Sequence, residues 1–316
     1  MTWGLDSITL PDPGPQPRPL DTLEPSHGVS ARAARMYTRF FGQEQVLMTG
    51  LPHSGMLLET LRQLVARRPE IAALDGIACY TKTQTHNTPA EADWLRGIFD
   101  AAGLQRWEVG TFSMTNCASA LAAVHAFAGQ DRPLLILAGE KAFHATGNRL
   151  AVGLLGEAPA AALFLPGGGR RVRFSRVRHM PRYFLNPDDM AEDDRRALQT
   201  AFEEGFEGFL AQILRDDPAF FDLRPVLVPY NLNVPLVARV LGRLGLGDLV
   251  QPGHSGRFGH TFCSDSFLNL AAHPVPQDKP VLLFCAGMGV TYAAVALERA
   301  AHDPQDHSPE NPETQQ

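Results

Sequence analysis

Short apolar runs recur along the chain, separated by longer stretches with a helical period. IACY (77–80), LLILAG (134–139), AAALFL (160–165), VLV (226–228) and VLLFCAG (281–287) lack polar alternation, as buried strands do. Between them, Leu198, Phe202, Phe206, Leu210 and Ile213 share one helical face within 191–216. Leu236, Val237, Val240, Leu241 and Leu244 do the same within 234–244. Strands alternating with helices predict an α/β architecture. Residues 10–27 are rich in proline and predict irregular chain, and 302–316 read as a disordered tail. The glycine-rich GGGRRVRF at 167–174 is the natural seam, dividing the chain into halves at 1–166 and 167–301.

Composition adds exclusions. The chain has 316 residues, enough for a sizeable core, with 44% hydrophobic and 20% charged residues. A net charge of −6 gives no bulk attraction to nucleic acid. No apolar run is long enough to span a membrane, and the N-terminus lacks the basic and apolar regions of a signal peptide. The four cysteines (79, 117, 263 and 285) form no CxxC pair, which suggests neither a disulfide framework nor a zinc site. A cytoplasmic, thiol-reduced enzyme is expected.

The most informative stretch is GTFSMTNCASALAAVHAF (110–127). Cys117 follows an extended run and opens an alanine-rich helix. The positive end of a helix dipole favours the thiolate form there. A buried cysteine can equally be a small packing group.

Other segments place this cysteine in context. IACYTKTQTHNTPAEADWLRGIFDAAGL (77–104), GEKAF (139–143), LLGEAPAAALFL (154–165), VPYNLNVPLVARVLGRLGL (228–246), RFGHTFCSDSFLNLA (257–271) and AGMGVTYAAVALE (286–298) resemble, in order and spacing, motifs of the β-ketoacyl synthase III family. The resemblance covers residues 70–300, while the N-terminal third is shortened and weakly matched. It implies a thiolase-like five-layer α-β-α-β-α fold of two similar halves, a homodimer, and Cys117 as an acyl-accepting nucleophile. The implied donor is an acyl-CoA or an acyl carrier protein thioester, with no bound cofactor and no metal.

Two positions depart from the family's decarboxylating pattern. Tyr230 stands in the slot of the "PHQAN" histidine and His260 in that of the "GN" asparagine, with the family's separation of 30 residues kept. Asp265 follows His260 by five residues. Cys117, His260 and Asp265 thus resemble the nucleophile–imidazole–carboxylate set of an acyltransferase-like branch in antibiotic pathways. His260 capping a turn and Asp265 capping a helix is the plainer alternative. Tyr230 retains a phenolic donor, and Asn231 or Asn233 an amide donor. By the same resemblance the oxyanion donors are the backbone N–H groups of Cys117 and Met288, the latter flanked by Gly287 and Gly289. The expected activity is acyl transfer through Cys117 to a hydroxyl, amine or carbon acceptor, in specialised metabolism. A decarboxylative condensing enzyme and a non-catalytic partner subunit are the rivals.

Lesser signals remain. Six arginines within 170–182 suit either docking of an acidic carrier protein or coenzyme A phosphates, or a solvated strand edge. His254 and His273 near His260 and Cys263 do not have metal-ligand spacing. His125 and His144 read as ordinary structural residues, Cys263 as a packing thiol, and the glycines at 167–169 as a turn.

Overall fold

The computed structural model describes residues 3–83, 91–113, 115–142, 144–180, 191–251, 258–287 and 290–299. The chain opens with β1 (Trp3–Thr9), β2 (Gln16–Pro19), α1 (Glu24–His27), α2 (Ala31–Phe41), β3 (Gln45–Met48) and α3 (His53–Arg67). It continues through β4 (Ile77–Thr81), α4 (Glu91–Ala101), β5 (Glu108–Phe112), α5 (Ser119–Phe127) and β6 (Leu134–Ala138). A small ribbon, β7 (Arg149–Leu150) with β8 (Gly153–Leu154), precedes β9 (Ala160–Pro166) and β10 (Arg170–His179). The second half contains α6 (Glu192–Asp216), α7 (Pro218–Asp222), β11 (Val226–Val228), α8 (Val234–Arg243), α9 (Asp265–Ala272), β12 (Val281–Gly287) and β13 (Thr291–Arg299).

Nine strands form one sheet in the order β11-β12-β13-β10-β1-β9-β6-β4-β5. Its two parts repeat each other. Numbered within its own half, the first part runs third-second-fourth-fifth-first. The second follows the same order, but its third strand is reduced to a parallel bridge between Leu227 and Val250. Directions repeat as well: β4 is parallel to β6, and β6 antiparallel to β9, just as β11 is parallel to β12, and β12 antiparallel to β13. The halves join where β1 pairs antiparallel with β10, Gly4 opposite Arg171 and Leu5 opposite Arg170. Side chains would not fit at this join. A Cβ on Gly4 would lie 2.3 Å from the Arg170 carbonyl oxygen, and one on Gly168 2.3 Å from that of Gly4.

The helices take their places by composition. SALAAVHAF makes α5 narrow, and it is buried between strands of both halves, touching β4 and β6 on one side and β12 and β13 on the other. Helix α9 also touches both, through β1 and β9 and through β11 and β12. Helices α3 and α4 cover the outer face of the first half, and α6 packs on α8 outside the second. This is the α/β thiolase-like arrangement that the motifs imply.

Two expectations need correction. Residues 10–27 are not irregular throughout, because β2 pairs with β3 and α1 forms at 24–27. The arginine run is not a strand edge, since β10 pairs with β13 along its length. Nor are all its charges free. Arg170 is buried and donates to the carbonyls of Val275, Pro276 and Lys279. Arg171 pairs with Glu298, and Arg173 with Asp217 and Glu298. Arg176 and Arg178 reach the surface, and Arg182 lies outside the described residues. The glycines at 167–169 do form a turn, with Gly167 at φ 79° and the Gly168 N–H donating to Leu165. The 302–316 segment lies outside the described residues.

Candidate active site

The two central helices present their N-termini to each other. Before α5, Asn116 adopts φ 50°, the left-handed region that asparagine tolerates better than most residues. A 3-10 turn over Asn116–Ala118 then carries Cys117 into the helix. Cys117 is only 9% exposed. Before α9, the chain carries His260 beside Leu155 through a parallel bridge, and turns through Phe262 at φ 59°.

These turns bring together residues 143 positions apart: His260 Nε2 lies 2.9 Å from Cys117 Sγ. His260 Nδ1 donates to Asp265 Oδ2 in a short contact. Asp265 Oδ2 also accepts from the Asn231 backbone N–H at 2.7 Å. Its Oδ1 accepts from the Thr261 N–H and hydroxyl, each at 2.6 Å. With both oxygens taken up by donors, the carboxylate is fixed in place. Burial works against a charged imidazole. The Asp265 carboxylate and the Cys117 sulfur outweigh it, and together they hold His260 well above its ordinary 6.5.

Tyr230 is 2% exposed and packs edge-on against the imidazole, with ring centroids 6.3 Å apart. Burial, with nearby acidic groups adding to it, pushes its phenol far up, so it remains a protonated donor. Asn231 meets the site through its main chain. Its backbone N–H serves Asp265, while its side-chain oxygen accepts from Asn269 Nδ2 at 2.7 Å. Asn233 sits at φ 52° as the N-cap of α8, where its carbonyl accepts from Leu236 and Val237. Gly287 ends β12 directly on the nucleophile's turn, where a Cβ would lie 2.2 Å from the Thr115 oxygen. Met288, Gly289 and His254 lie outside the described residues.

Other residues are elsewhere occupied. The His125 Nδ1 meets Ser175 Oγ at 2.8 Å, and the His273 N–H donates to Asn269. Among the described residues, no group of three His, Cys, Asp or Glu is placed to hold a metal. Glu140 of the GEKAF segment is buried, and accepts from Thr83 N–H at 2.5 Å and Thr83 Oγ1 at 3.0 Å.

Sequence reasoning missed Thr261 and the backbone of Asn231 as holders of Asp265. The first had a signal: T-F-C-S-D at 261–265 keeps the threonine–cysteine spacing of T-N-C-A-S at 115–119. The second had none, because a backbone donor leaves no residue type to read.

The architecture is that of the thiolase fold, in the form built by ketoacyl synthase III proteins. No protein-family model and no curated protein matches the sequence. Solved structures do match in shape. ChlB3, described as an acyltransferase, superposes with a TM-score of 0.74 at 16% identity, over 95% of this chain and 98% of that one. The 3-oxoacyl-(acyl carrier protein) synthase III FabH of Pseudomonas aeruginosa PAO1 gives 0.72 at 16% identity, over 96% and 100%. AbyA1, described as a tetronic acid condensing enzyme, gives 0.67 at 17% identity, over 94% and 100%.

Proposed function

We propose that the protein is an acyltransferase that carries its acyl group on Cys117. The observation that carries this reading is the line Cys117 Sγ, His260 and Asp265, with 2.9 Å between sulfur and imidazole. ChlB3 and AbyA1 show that the fold hosts both transfer and condensation, so the side chains in the site have to choose between them.

The chemistry runs in two halves. The thiol proton passes to His260 Nε2, and the sulfur attacks the carbonyl of an acyl-CoA or carrier-protein thioester. The new Sγ–carbon bond forms as the donor's carbon–sulfur bond breaks, and the departing thiol takes the proton from Nε2. A hydroxyl, amine or acidic carbon of the acceptor then gives its proton to Nε2 and attacks the acyl carbon, releasing Cys117. Asp265 holds the imidazole so that Nε2 faces the sulfur, and stabilises the imidazolium at each turn. The oxyanion role assigned by resemblance to the Cys117 and Met288 N–H groups belongs to this proposal too. The setting in specialised metabolism and a cytoplasmic location are carried with it.

Decarboxylative condensation uses a histidine and an asparagine donor together on the developing enolate. Here Tyr230 packs beside His260 in place of that pair. Loss of the pair costs on the order of a few kcal/mol of enolate stabilisation.

We extend the proposal to a homodimer through β5. Strand β5 is the last in the sheet and is largely exposed. Glu108 donates to Gly76, and Phe112 accepts from Lys82, so residues 108, 110 and 112 face β4. The N–H and C=O groups of Val109 and Thr111 therefore face outward. An open edge without proline or an interior charge invites pairing, and a second copy in antiparallel register satisfies it.

The experiment is intact-protein mass spectrometry after incubation with a panel of acyl-CoA and acyl carrier protein thioesters. The parent should gain one acyl mass, and Cys117→Ala none. An adduct that persists in Cys117→Ala removes the nucleophile assignment. Efficient conversion of a malonyl donor to an acetyl thioester moves the condensing reading to first place.

A further inference from the structure

The duplication of the fold extends into the site. Thr115-Asn116-Cys117-Ala118-Ser119 and Thr261-Phe262-Cys263-Ser264-Asp265 occupy equivalent turns at the N-termini of α5 and α9. Each has a left-handed residue before its cysteine, at 50° for Asn116 and 59° for Phe262. Each closes with the same backbone bond, Ala118 N–H to Thr115 at 3.1 Å and Ser264 N–H to Thr261 at 3.3 Å. In each, the threonine hydroxyl reaches the residue four positions on, Ser119 at 3.1 Å and Asp265 at 2.6 Å. The second turn thus has its own cysteine, with no part in the acyl-transfer chemistry above.

Cys263 is 4% exposed, and burial followed by the nearby Glu140 carboxylate pushes its thiol far up. It is not a second nucleophile. Its contacts lead instead to the first turn. The Cys263 Sγ donates to the Asn116 carbonyl at 3.4 Å, and the Ala120 backbone N–H is directed at the same sulfur. Those two groups flank Cys117, one on the strained residue before it and one in the first turn of its helix. Glu140 Oε1, anchored by Thr83, stands 4.0 Å behind the sulfur.

We infer that Cys263 is a positioning residue, tying the Asn116 carbonyl to the start of α5 so that the Cys117 sulfur stays on His260 Nε2. The inference rests on Cys117 being the nucleophile. A left-handed asparagine persists only where its surroundings hold it. The carbonyl of Asn116 is the handle by which the opposite half does so. Without that tie, Asn116 relaxes, and Cys117 moves off the imidazole that accepts its proton.

The test is the rate of Cys117 alkylation by iodoacetamide as a function of pH, in the parent, Cys263→Ala and Cys263→Ser, with the modified residue located by peptide mass spectrometry. Serine keeps a hydroxyl for the Asn116 carbonyl, whereas alanine keeps nothing. In Cys263→Ala the pH midpoint of alkylation should rise by about one unit, roughly tenfold slower reaction below it. Cys263→Ser should return most of the way to the parent. A Cys263→Ala profile that matches the parent's, whatever its melting temperature, reduces Cys263 to packing and overturns the inference. So does a profile that serine fails to rescue. If Cys117 of the parent resists alkylation at every pH, the nucleophile reading itself falls, and this inference falls with it.

Discussion

Asp265 receives four donors on two oxygens, from Thr261, Asn231 and His260. Asparagine in its place offers one acceptor oxygen and turns an N–H₂ towards groups that are already donors. Asp265→Asn should therefore lose stability, by about 1–3 kcal/mol in a denaturant melt. It should also slow transfer more than loading, because a neutral acceptor needs the imidazole in the right tautomer. Single-turnover measurements should show the acyl-enzyme accumulating; equal slowing of both steps would leave Asp265 as a structural clamp only. The charge on His260 is testable separately. Its value in the fold is raised above 6.5, so the protonated form contributes stability that is complete below pH 6.5. That contribution disappears as pH climbs through the raised value. The stability gap between the parent and His260→Gln should narrow from mildly acidic to alkaline buffer, and a constant gap would mean a neutral imidazole. The three residues were legible because family motifs locate them. The Asn231 N–H that holds Asp265 was not, since a backbone donor leaves no residue type to read.

Strands whose residues are buried on both faces were legible as apolar runs, and β4, β6, β9, β11 and β12 coincide with them. Helices α6 and α8 follow their periodic faces in the same way. Strand β1 escaped because WGLDSIT mixes in a charge, and β10 was legible only as a solvated strand edge because of its arginines. Those arginines belong in a strand because Glu298 and Asp217 lie across from them. At this scale the end of β12 is the most sensitive point. In Gly287→Ala the new methyl would meet the Thr115 carbonyl, a backbone atom that cannot step aside without moving Cys117. Overpacking there should cost about 1–3 kcal/mol in thermal or chemical melts. Acyl loading should fall with it; a variant as stable and as readily loaded as the parent would show that the strand end can shift freely.

For the molecule as a whole, the assembly proposal turns on β5. Thr111→Pro removes an outward N–H while leaving the bonds of residues 108, 110 and 112 to β4 in place. Sedimentation should find the parent as a dimer and the variant shifted towards monomer, with helix content unchanged. If both sediment alike, β5 is not the dimer surface. The division into halves was visible in the sequence as a glycine-rich seam and through the family resemblance, whereas the strand order that relates the halves was not.

Strand β1 sits between β9 and β10, and its two glycine contacts leave no slack at the join. Its partners are translated long after it, separated from it by almost all of the first half. During synthesis this segment must wait unpaired while β4, β5 and β6 assemble beside it in the chain. Pairing of β1 on both of its edges therefore waits for both β9 and β10, which makes it a late event. A nascent chain paused before β10 would hold the first half with Cys117 but without His260, so the reactive pair exists only once the second half has been made and docked.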